Sequence, residues 1–190
     1  MKTIKLDAEK LLAAAHCINY KYLRDLHEIH NTIAIDVDSG TMIACHGHAG
    51  LRIEGAVIES SEGVTGCYSV ALSENTLKNW KALCAKKEPV ELRLDSNEIT
   101  GSNFIIKVDL RSGTDNLSTY KRITDEQQTP TEPRAYTLSM ENMKRALDVC
   151  KAIGAKYMKY EAVTGKGIPD NVVVTFVGKN AQMLVMGAIG

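Results

Sequence analysis

The residues of this chain with the most obvious chemistry are histidines and cysteines in short clusters. His46-Gly47-His48 follows Cys45, and His27 and His30 stand three apart in His27-Glu28-Ile29-His30. Imidazole nitrogen and thiolate sulfur are zinc ligands, so two such pairs brought together would make a metal site able to activate water in a hydrolase. On a strand, however, His46 and His48 share one face, and nothing in the sequence brings the two pairs together. The five cysteines, Cys17, Cys45, Cys67, Cys84 and Cys150, are odd in number, scattered and without a CxxC. That pattern reads as reduced thiols, not a disulfide framework. No nucleophile elbow surrounds any of them, and there is no GxxxxGK(S/T) loop and no GxGxxG. Asp36 and Asp38 sit beside Ser39-Gly40 without the rest of a calcium loop, so turn chemistry accounts for Asp38. The expectation is a non-enzyme with no metal and no cofactor.

The elements that position these residues repeat along the chain. Leu6, Leu72 and Leu138 are 66 residues apart in both steps. Each ends a strand pattern (Thr3–Leu6, Tyr68–Leu72, Ala135–Leu138) and is followed by a helix N-cap, Asp7, Ser73 or Ser139. The helices that follow carry apolar stripes: Leu11, Ala15 and Ile18 with Leu12 beside them; Leu77, Trp80 and Cys84; Met143, Leu147, Cys150 and Gly154. Strand pairs then run through Asp38-Ser39-Gly40, Asp95-Ser96-Asn97 and Gly178-Lys179-Asn180. A ~66-residue unit is marginal alone, so the units are expected to share sheets.

The predicted fold class is α+β, with three strand–helix–strands repeats and the helices on one face of antiparallel sheets. Residues 1–122 form a domain of two repeats (1–64 and 66–122), 123–134 a linker within the polar stretch Arg111 to Pro133, and 135–190 a third repeat, half a domain.

Composition narrows the function. The 190 residues carry 23 Lys plus Arg against 23 Asp plus Glu, which excludes a uniformly basic surface but not a basic face. Aromatics at 5% disfavour a base-stacking platform for single strands. No segment approaches the ~20 apolar residues that span a bilayer, and the N-terminus lacks a signal-peptide core, so a cytoplasmic location with no membrane partner is expected.

Strand–helix–strands repeated in this way resembles the DNA clamp fold, and three local segments resemble the bacterial beta sliding clamp family. Asp38-Ser39-Gly40-Thr41-Met42-Ile43-Ala44-Cys45-His46-Gly47-His48-Ala49-Gly50-Leu51 resembles the family's strand followed by Thr-Asp-Gly-His-Arg-Leu. Gly47, His48 and Leu51 match it, Cys45 and His46 replace Thr and Asp, Ala49 takes the Arg position, and Gly50 is inserted. Tyr120-Lys121-Arg122-Ile123 is similar to the Tyr-Arg-Arg-Val where the middle domain passes to the last. Met186-Gly187-Ala188 looks like a reduced form of the terminal Met-Pro-Met. The chain would then be a shortened, phage-type relative corresponding to the middle domain and part of the last.

The resemblance implies a processivity factor. Its helices would present cations to duplex DNA without reading sequence, and the candidates are Lys10, Lys21, Lys78, Lys81, Lys86, Lys144, Arg145 and Lys151. Of these, Arg145 is expected opposite the apolar stripe of the third helix, with Glu141 and Asp148 diluting that face. A peptide of a DNA polymerase or other client would bind a pocket lined by Gly47, His48, Leu51 and Met186, with His30 beside them. The odd half domain would pair with its equivalent in a second chain, making a homo-oligomer. The rival from another class is a clamp-fold interaction module that binds no DNA; a third is the His-cluster hydrolase.

Overall fold

The computed structural model describes residues 1–18, 32–46, 49–71, 74–84, 87–101, 104–112, 129–130, 138–165 and 168–186. β1 (Thr3–Leu6) buries Ile4 and Leu6 and turns Lys5 outward by its two-residue period. α1 (Ala8–Cys17) begins at Asp7, whose Oδ1 accepts the Lys10 N–H at 3.1 Å, while its charge suits the helix N-terminus. β2 (Thr32–Asp36) and β3 (Thr41–His46) follow, joined by a turn with Gly40 at φ +67°. There the Ser39 hydroxyl donates to Asp36 at 2.8 Å, and Asp38 accepts the Gly66 N–H at 3.1 Å, so both aspartates serve the turn. β4 (Ala49–Ile53) and β5 (Val57–Ser60) complete the first unit.

The second unit is β6 (Cys67–Ala71), α2 (Glu74–Leu83), β7 (Val90–Arg93), β8 (Glu98–Thr100), β9 (Ile105–Lys107) and β10 (Asp109–Ser112). The sequence pattern runs from the turn at Asp95-Ser96-Asn97 directly to 104–108; in the structure β8 intervenes. The third unit is α3 (Met140–Ala152), capped by the Ser139 hydroxyl accepting the Asn142 N–H at 3.1 Å, then β12 (Met158–Gly165), β13 (Ile168–Phe176) and β14 (Ala181–Met186). Within the expected linker, Thr129–Pro130 forms a short strand, β11, on β12; the rest of 123–134, and the expected strand 135–137, lie outside the described residues.

All strand pairs are antiparallel, and the first two units exchange strands. β1 pairs with β7 of the second unit, and β6 pairs with β2 of the first. One sheet runs β5-β1-β7-β8-β9; the other runs β10-β6-β2-β3-β4-β14-β13-β12-β11. The third unit therefore extends the first unit's sheet through β4 and β14, within the chain. α1 packs on β3 and β4 and touches both α2 and α3. Its run of Ala13, Ala14 and Ala15 lets neighbours approach closely, and all three are buried.

Two expectations for α3 need correction. Its buried face is Asn142, Arg145, Ala146, Val149 and Cys150, turned about 100° (one residue) from the expected stripe. Met143 and Leu147 lie outside the core. Arg145 is only 7% exposed rather than on the solvent face. Its Nη2 donates to Glu141 at 2.8 Å, and Nη1 reaches Asn142 Oδ1 at 3.5 Å. A long stem buried on α1 with its charge answered on the rim accounts for this placement.

Candidate functional site

The pairing of β4 with β14 brings separate parts of the sequence together. Leu51 lies opposite Met183, Gly50 opposite Leu184 and Ala49 opposite Val185. Gly47 and His48 immediately precede Ala49, and Met186 immediately follows Val185. The backbone thus sets the Gly-His segment and the terminal Met at the same end of one ladder. Gly47, His48 and His30 lie outside the described residues, and Met186 is described as the last residue of β14. Leu51 is fully buried in the core, so it supports this end of the ladder from beneath and lines no open surface.

Below the ladder lie buried thiols. Cys17 Sγ donates to the Ala44 carbonyl at 3.6 Å, and burial pushes its pKa up to about 12, against a smaller opposing pull from the Arg145 charge. Cys45 is pushed up further, by burial first and by Cys17 second. Neither is a nucleophile or a thiolate ligand at neutral pH. Among the described residues no group of three or more His, Cys, Asp or Glu is placed to hold a metal, and the His27 and His30 pair lies outside them. No helix among the described residues is long and apolar enough to cross a membrane.

A cleft of about 400 Å³ opens at the opposite end of the same ladder, near Ile53 and Ala181. It is lined by charges of both signs, among them Asp7, Lys10, Glu54 and Lys179. Lys10 is held there, donating to the carbonyls of Glu54 at 3.1 Å and Gly55 at 2.8 Å. It ties the first turn of α1 to the end of β4. Of the remaining candidate cations, Lys144 and Lys151 are exposed on α3, between exposed Glu141 and half-buried Asp148. Lys78 and Lys81 lie on α2, their side chains outside the described ones; Lys21 and Lys86 lie outside the described residues entirely.

Sequence reasoning misses an apolar flank on α3, where Met140 is 80%, Leu147 45% and Met143 39% exposed. Superposing the repeats is the signal that finds it, because two of these bulky residues stand where α1 has Ala8 and Ala15.

Paired strand–helix–strands units that swap strands, with sheets running on from unit to unit and helices side by side beneath, define the sliding-clamp fold. Among solved structures, the DNA polymerase III beta subunit of Thermotoga maritima matches with TM-score 0.64 and 12% identity, over 100% of this chain and 65% of that one. The Helicobacter pylori beta clamp bound to a DNA ligase peptide matches with TM-score 0.55 and 12% identity, over 99% of this chain and 67% of that one. PCNA of A. fulgidus, with the C-terminal region of FEN-1 bound, matches with TM-score 0.50 and 12% identity, over 100% and 99%. More particularly, the chain carries the fold of the bacterial beta subunits and spans about 65% of the length of the first of them. No family model matches it, and no curated protein does.

Proposed function

We propose that this chain is a sliding-clamp-like processivity factor. It holds duplex DNA without sequence preference, tethers a polymerase or another client by a short peptide, and has no catalysis of its own. The observation that carries the reading is the β4–β14 ladder. It fuses the third unit to the first, sets α1 beside α3 under one sheet, and aligns the Gly47-His48 segment with Met186. The H. pylori clamp, bound to a ligase peptide, and the A. fulgidus PCNA, bound to a FEN-1 segment, support a peptide client. Lys144 and Lys151 are the described cations free to meet phosphates, whose contacts carry no sequence information and so permit sliding. The test is retention on circular duplex before and after linearisation. Retention that disappears on cutting the circle supports the reading; equal retention on both forms, or none on either, sinks it.

A second reading, a clamp-fold interaction module that does not encircle DNA, is favoured by one observation. Arg145 is buried and Lys10 is tied to backbone carbonyls, which leaves the described helices weakly basic. A client peptide bound with no affinity for circular duplex would decide for it.

A further inference from the structure

With the repeats superposed on Leu6 and Leu138, Ala8, Leu11 and Ala15 of α1 correspond to Met140, Met143 and Leu147 of α3. In α1 these positions are 1%, 0% and 9% exposed; in α3 they are 80%, 39% and 45%. The difference lies in what stands beside each helix. α1 has a helix on both flanks: α2, whose Trp80 indole donates to the Leu11 carbonyl at 3.3 Å, and α3. α3 has α1 on the flank of Arg145, the charge of which reaches Cys17. At about 100° per residue, the centre of the Met140, Met143 and Leu147 flank lies about 180° from Arg145, where α1 has its second helix.

The sheet repeats the asymmetry. β2 of the first unit is covered on its outer edge by β6 of the second. β12 holds the same place in the third unit. Among the described residues only β11 lies outside it, pairing at Val163 and Thr164, so Met158 to Ala162 have no outer strand. The third unit is thus uncovered on the helix flank and sheet edge that a sister unit covers in the first.

We propose that this face docks the same face of a second copy of the chain, two third units completing between them the helix pair that α1 and α2 make within one. Three bulky apolar residues on one flank exceed the scattered exposure of an ordinary surface. A two-fold axis satisfies such a flank with itself, since every contact is made twice. Lys144, Lys151, Glu141 and Asp148 beside it balance in charge, so two copies meet without net repulsion. Methionine adapts its shape to such a contact. The proposal does not rest on DNA binding and is tested without DNA.

Sedimentation at micromolar concentration is expected to give twice the chain mass of 20.8 kDa. Met143→Glu with Leu147→Glu is expected to halve it, while Ile58→Glu, at an exposed position on β5, leaves it unchanged. Met143→Cys is expected to cross-link copy to copy, the native thiols being buried. One-chain mass for the unaltered protein, a doubled mass indifferent to the paired Glu substitution, or doubling that needs a different protein would each overturn the proposal.

Discussion

The indole N–H of Trp80 donates to the backbone carbonyl of Leu11 at 3.3 Å, across 69 residues of sequence. This bond joins the first helix to the second at the centre of the core, where both residues are fully buried.

Trp80→Ala is expected to cost about 3–5 kcal/mol, because it removes a large buried ring and leaves a cavity. Trp80→Phe keeps much of the apolar contact and should cost less. Urea unfolding followed by circular dichroism checks both, and the single tryptophan reports unfolding of the parent protein by fluorescence.

Arg145 separates structure from DNA contact. Arg145→Ala is expected to destabilise the fold by about 1–3 kcal/mol because its buried stem no longer packs, while leaving the salt dependence of DNA binding unchanged. Lys144→Ala with Lys151→Ala should do the reverse. It should leave the melting temperature near its parent value and lower the slope of log K against log salt by about 0.9 for each phosphate no longer neutralised. Titrations at several salt concentrations, with thermal melts of each variant, distinguish the two.

The buried thiols predict a pH limit. Cys17 and Cys84 rise from an ordinary 9.0 to about 12, burial being the main cause in each. The folded chain keeps protons that the unfolded chain releases, so this contribution is complete below pH 9 and fades as the pH climbs from 9 to about 12. Urea midpoints should fall across that range, and a thiol reagent at pH 8 should label these two sites only after unfolding.

The helix caps predict smaller effects. Asp7→Ala and Ser139→Ala each remove a side-chain acceptor from a helix N-terminus and should cost about 1 kcal/mol. Asp7→Asn keeps the acceptor and should cost less than Asp7→Ala, as chemical denaturation will show.

Much of this architecture is legible in the sequence because its causes are local. Asp7 and Ser139 cap the helices that their side chains suit, and Gly40 marks a turn that needs positive φ. β4 and β12 do not stand out as strands. Gly50 interrupts the first, and Lys159 and Glu161 give the second too little apolar content. The facing of α3 escapes the sequence because three-dimensional neighbours, not periodicity, chose which side to bury. A stripe of Met143, Leu147 and Cys150 looks like a core face, yet α1 and the sheet took Arg145, Ala146 and Val149.

The sequence by itself determined the repeat of three units, the caps and turns, and the resemblance to a clamp, since these rest on residues close along the chain. Only the tertiary structure decided that β14 continues the first unit's sheet, bringing Met186 toward Gly47, and that Arg145 goes inside while Met140, Met143 and Leu147 stay outside. Strand pairing and helix facing depend on surfaces far apart in sequence, and local periodicity carries no record of which surfaces meet.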